Sequence, residues 1–162
     1  EALRHTKISA QEEYGLRCAL QLARIGPEES LTIPEIAERE GLSVPYVAKI
    51  LAQLRQAEVV VSVRGRTGGY SLARPADRLP VSAVLRAMGF QPWDEAGCNR
   101  FPGPAGVCIH SSVCAIRTLW CALDNMVERF LEKTTLEDLL RGRVDDGTQA
   151  EAGRTALAAL ES

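Results

Sequence analysis

Three of the chain's five cysteines fall where a loop meets a helix. Cys98 and Cys108 lie among glycines and prolines within residues 91–109, and Cys114 stands at the start of a helical pattern. Gaps of nine and five residues between them do not fit the paired C-x-x-C knuckles of structural zinc sites. A backbone rich in Gly and Pro can still wrap three thiolates around one centre, and thiolates suit soft metals and iron–sulfur clusters. Cys121 follows Cys114 by seven residues, two helical turns and about 10.5 Å along the axis, so it reads as a buried or flanking cysteine. Cys18 lies in an apolar stripe and reads as core. The second chemical group is cationic. Arg64 and Arg66 alternate with Gly65 ahead of Gly68-Gly69, a composition for a tight hairpin tip that brings two guanidiniums close to a polyanion. No nucleophile–base pair or phosphate-binding loop is evident and histidines number only two, so the sequence reads as a non-enzyme.

The elements that must position these groups follow from caps and periodicity. A helix is expected over residues 8–24, with Tyr14, Cys18 and Leu22 on one side and Gly26-Pro27 ending it. Thr32 and Glu35 form a capping box, Pro34 suits a first turn, and Gly41 can close the helix in the left-handed conformation. Ser43 offers the next N-cap, and residues 44–56 form a third helix with Val47, Ile50, Leu51 and Leu54 inward. Two short helices joined by Gly41-Leu42-Ser43 have the layout of a helix-turn-helix DNA reader. The β-branched run 59–63 and the short strand 70–73 bracket the arginines, which makes a cationic wing beside a recognition helix. The fold class is therefore mostly α, a winged helix-turn-helix with a β-hairpin wing.

Beyond the wing, a helix from residue 79 or 80 runs to Met88 and stops at Gly89. Val113, Ile116, Trp120, Leu123, Val127 and Phe130 then repeat at 3-4-3-4-3 spacing, an a/d seam over nearly three heptads. Little sequence is left to cover so long a helix, so it is expected to pair with a copy of itself. Thr135 caps a small helix ending near Leu140. The organisation reads as a DNA-binding domain over 8–78, a linker helix with a cysteine-bearing sensor loop over 79–111, a dimerisation helix with its short successor over 112–142, and a tail over 143–162.

Composition supports this outline. At 46% hydrophobic and 25% charged, the chain is neither disordered nor collagen-like, and no apolar run suits a membrane span. Unbridged cysteines without secretory signs point to the reducing cytoplasm. The chain opens on Glu1 rather than Met, so residues 1–6 read as a remnant or as following a trimmed start. A net charge of −2 hides segregation: residues 43–78 hold six basic and two acidic groups, residues 124–162 five basic and nine acidic. A basic middle on an acidic chain suits a DNA-binding module joined to another function.

Several segments together resemble the Rrf-two family of bacterial winged-helix transcription regulators. They are Ile8-Ser9-Ala10 and Tyr14-Gly15-Leu16-Arg17, Ile36-Ala37-Glu38-Arg39, Ser43-Val44-Pro45-Tyr46, and the wing Ser62-Val63-Arg64-Gly65-Arg66-Thr67-Gly68-Gly69-Tyr70 continuing to Pro75. The resemblance covers roughly residues 8–140, and the wing is its most specific part. It implies a homodimeric repressor on a pseudo-palindromic double-stranded DNA operator, with no membrane partner. In some branches, a cysteine-held [2Fe-2S] or [4Fe-4S] cluster sets DNA affinity in response to redox state, nitric oxide or cluster status. Carried over residue by residue, Ser43, Pro45, Tyr46 and Lys49 meet the major groove, Arg64 enters the minor groove, and Arg66 and Gly68 complete the wing. Ala48 replaces a base-reading glutamate of the cluster-assembly branch, which implies a different operator. Glu58 replaces a glycine common at the helix-to-strand corner. Cys98, Cys108 and Cys114 take the places of the three cluster cysteines, with a first gap of nine residues here. Arg117 stands where the cluster-assembly branch has a histidine, so the fourth ligand is open. Glu13, aligned with a carboxylate ligand of the nitric-oxide-sensing branch and supplied by the partner subunit, is the leading candidate. His110 or a small-molecule ligand competes with it. The alternative is a winged-helix regulator without a cluster, controlled by cysteine oxidation or by a partner protein.

Overall fold

The computed structural model describes residues 8–65, 68–91 and 114–144. Helix α1 (Ala10–Ile25) begins two residues later than its apolar pattern suggests, because Ser9 and Glu12 form a reciprocal capping box. Helix α2 (Ile33–Glu40) starts at the Thr32/Glu35 box, and Gly41, at φ 65°, closes it. Helix α3 (Val44–Gln56) follows after the three-residue connection Gly41-Leu42-Ser43, with Ser43 at the N-cap position. The three helices converge on Cys18, Leu22, Ile36, Val47, Ile50 and Leu51, all at most 1% exposed.

Strand β1 (Val60–Val63) pairs antiparallel with β2 (Gly69–Leu72), Val60 facing Leu72 and Val63 facing Gly69. Each strand lies one residue from its expected limits. A third partner was hidden in the sequence. Leu31 and Tyr70 exchange both backbone hydrogen bonds, at 3.0 and 2.8 Å, so the hairpin is fastened to the segment that launches α2.

Helix ends show one repeated device. After α2, after α3, after α4 (Val81–Ala87) and after a short final helix, α6 (Leu136–Leu140), the chain makes the paired 6→1 and 5→2 hydrogen bonds of a Schellman motif. Glycine takes the left-handed position in three of these, Gly41, Gly89 and Gly142, but the fourth belongs to Glu58 at φ 56°. A side chain there crowds the following carbonyl and costs roughly 1–2 kcal/mol. Glu58→Gly is therefore expected to stabilise the fold by roughly 1 kcal/mol after the added chain entropy is deducted. The check is urea unfolding: the midpoint rises while the slope stays constant.

Helix α5 (Ala115–Lys133) has 19 residues and joins the body at its C-terminal end. There Val81 donates to Thr134 O at 2.9 Å and Leu136 donates to Leu79 O at 3.0 Å, while Leu79 and Leu136 are fully buried. The small helix α6 thus completes the winged-helix core. Arg86 on α4 adds a clamp, bridging to Glu128 and, at 3.0 Å, to Glu132 one turn further along α5. The remaining face of α5 leaves Ile116, Leu119, Trp120, Leu123, Met126 and Val127 exposed by 37–63%. Among the described residues, no helix is long and apolar enough to cross a membrane.

Candidate nucleic-acid interface and cysteine site

One face of α3 is wholly interior: Val47, Ile50, Leu51 and Leu54 are all at 0% exposure. Its first turn is the opposite. Ser43, Val44 and Pro45 are exposed, as is Lys49, and the Ser43 hydroxyl makes no capping hydrogen bond. Pro45 costs nothing in this turn, since its missing N–H would have no intrahelical acceptor. Tyr46 is only half exposed. Its ring meets Tyr14 edge-to-face at 5.9 Å between centroids, so one side of this expected DNA contact is occupied by packing.

That contact begins a network that sequence reading missed. The Arg17 guanidinium lies 5.2 Å from the Tyr14 ring centroid and donates to Glu40 Oε2 at 2.6 Å and to Glu40 O at 3.2 Å. Gln21 donates to the other oxygen of the same carboxylate, which is only 6% exposed. Glu40 is the last residue of α2, so α1 holds the end of α2 through Arg17 and Gln21 and the start of α3 through Tyr14. These contacts set the angle at which α3 is presented. Their only sequence signal is the i, i+4 spacing of Arg17 and Gln21 on α1.

Arg64 projects from the end of β1 and is exposed. Gly65, at φ 125°, and Gly68 close the wing turn through a 3.0 Å hydrogen bond from Gly68 N to Gly65 O. A Cβ on Gly68 would stand 2.8 Å from Val63 O, so the turn has no room for a side chain there. Arg66 lies outside the described residues. An exposed helical turn beside a short cationic hairpin can place side chains in adjacent grooves of a duplex.

The cysteines separate by environment. Cys114 is the N-cap of α5, half exposed, and its sulfur accepts the Arg117 N–H at 3.4 Å. Cys121 is exposed on the flank of α5, as one of its two expected readings has it. Cys18 is fully buried in the core. Burial, reinforced by the nearby Glu40 carboxylate and opposed by Arg17, pushes its thiol up to about 12. Glu13 is exposed on α1. Cys98, Cys108 and His110 lie outside the described residues, and among the described residues no three His, Cys, Asp or Glu side chains converge as a metal site.

Comparison with known proteins agrees with this geometry. The family model described as "Rrf2: Iron-dependent Transcriptional regulator" matches residues 8–142. Protein rrf2 of Nitratidesulfovibrio vulgaris is 35% identical over 135 residues, covering 83% of this chain and 87% of the relative. Among solved structures, CymR, the global cysteine regulator of B. subtilis, superposes with a TM-score of 0.67 at 30% identity, covering 82% of this chain and 95% of that one. The IscR of T. potens gives 0.66 at 29% identity, covering 85% and 88% respectively.

Proposed function

The chain belongs to the Rrf2 family of transcriptional regulators, and from that premise we propose that it is a homodimeric DNA-binding repressor controlled by an iron–sulfur cluster. DNA contact is assigned to Ser43, Pro45, Tyr46 and Lys49 on α3 and to Arg64, Arg66 and Gly68 in the wing. Cluster ligation is assigned to Cys98, Cys108 and Cys114, with Glu13 of the partner subunit as fourth ligand and His110 as its competitor. The observation that carries the reading is the placement of Cys114. Its half-exposed sulfur caps α5, whose apolar face is exposed among the described residues, directly after the segment that bears Cys98 and Cys108.

The donor set fits such a group: three thiolates, soft and anionic, with a carboxylate or imidazole to complete four positions. When bound, the cluster supplies a centre that oxidants and nitric oxide can alter. The protein supplies the rest. Cys114 would tie the start of α5 to the segment that leaves α4, while the Arg117 N–H holds the sulfur in place. Thr134 and Arg86 join the other end of α5 to the winged-helix body. Two bodies paired through α5 would present two α3 helices, and half-sites one duplex turn apart demand a separation of ~34 Å.

Protein purified without oxygen is expected to be brown, with visible absorbance and with iron and sulfide near stoichiometric. Cys114→Ser should abolish the colour. A colourless preparation whose DNA binding ignores changes at Cys98, Cys108 and Cys114 would reject cluster control. Similarity to CymR supports the second reading, in which Cys98 and Cys108 form a disulfide under peroxide. Mass spectrometry would then find two hydrogens lost from that pair.

A further inference from the structure

Gln11 occupies a junction that the proposed function does not use. Its side-chain nitrogen donates at 3.2 Å to Met88 O, at the end of α4, and at 3.2 Å to Gln53 Oε1 on α3. Met88 O can only accept, so the amide orientation is fixed and both N–H groups are engaged. Met88 itself is 3% exposed and rests on α1 at Gly15, where an added Cβ would lie 2.3 Å from Met88 Cγ. The same last turn of α4 carries Arg86, which holds Glu128 and Glu132 of α5. A line of contacts therefore runs from α5 through Arg86 and Met88 to Gln11, and from Gln11 to Gln53 on the recognition helix. Gly89 and Phe90 follow at once, so this turn is also where the chain departs toward the cysteines.

We propose that Gln11 is a positioning residue that transmits displacement of α4 and α5 to α3, setting the recognition helix according to the state of the dimerisation helix. Its two hydrogen bonds are part-buried and individually modest, whereas Ile50, Leu51 and Leu54 anchor α3 in the core independently. Removing Gln11 should therefore uncouple α3 without unfolding it. The inference deepens the proposed regulation and rests on it only where operator affinity is the readout.

The test is hydrogen exchange in the full chain. Cutting the clamp with Glu128→Gln and Glu132→Gln should speed exchange about threefold in the last two turns of α3. In the Gln11→Ala background, the same cut should leave α3 unchanged. Gln53→Glu keeps an acceptor for Gln11 and should preserve the response, whereas Gln53→Leu should abolish it. An α3 that ignores the clamp in the parent chain, a response that survives Gln11→Ala, or equal behaviour of the two Gln53 variants would overturn the proposal. Operator affinity gives a second readout: Gln11→Ala should bring the ratio between iron-loaded protein and Cys114→Ser protein to about one. If the parent chain already gives a ratio of one, cluster control fails, and exchange alone decides the role of Gln11.

Discussion

Leu123→Glu is expected to halve the particle mass in solution and to weaken operator binding by two to four orders of magnitude. Leu123 is 42% exposed at the centre of the seam on α5, between Trp120 and Val127 at 37% and 43%. Full burial of such a side chain contributes about 1.5–3 kcal/mol, so a row of them offsets the roughly 4–15 kcal/mol cost of association. A glutamate removes that gain twice in a symmetric pair and sets a carboxylate against its own copy, each costing several kcal/mol to desolvate. Two separated reading heads then lose the high effective concentration that linkage gives the second contact, a factor of ~10²–10⁴. Light scattering and a binding titration on one operator check both parts. The winged-helix body should melt as before, since Leu123 lies outside its core. A variant that stays paired and bound would show that α5 is not the joining surface.

Gly69→Ala is expected to destabilise the fold by roughly 3 kcal/mol, the upper end of what overpacking costs. A Cβ at this position would stand 2.5 Å from Leu31 O, 2.6 Å from Leu31 C and 3.0 Å from Thr32 N. All three are backbone atoms, so no side chain can swing aside. The Leu31–Tyr70 pair holds that backbone in place, and Thr32 caps α2. Relief must either open the pair or shift the start of α2, at about 1 kcal/mol for each hydrogen bond lost. The melting midpoint should fall by roughly 10 °C in a domain of this size. An unchanged midpoint would mean that the hairpin and Leu31 do not touch as described.

Local chemistry made much of this fold legible. The Thr32/Glu35 and Thr135 caps, Gly41 and Gly89, and the arginine–glycine wing each announce themselves within a few residues. Contacts between distant residues left no such mark. Arg86 lies 42 and 46 residues from its two carboxylates, and Gln11 lies 77 from Met88. The Leu31–Tyr70 bridge is a single residue pair and shows no alternation to read. Ser9 illustrates a smaller difference, since an apolar pattern beginning at Ile8 could not reveal which residue would cap. The candidate site divides the same way. The buried face of α3 follows from the spacing of Val47, Ile50, Leu51 and Leu54, but the half-burial of Tyr46 depends on Tyr14, which lies in another helix.

The attachment of α5 near its C-terminal end has a mechanical consequence. The backbone pairing at Thr134 and the Arg86 bridges at Glu128 and Glu132 fasten it there. From Glu128 back to Ala115 the helix runs on for a further ~20 Å, a lever arm measured from those bridges. A tilt of ~10° at the pivot would carry its tip ~3.5 Å, close to the ~3.4 Å rise between successive bases. In the proposed dimer, gearing of that ratio would let a slight change of angle at the root shift the two reading heads by about one base pair.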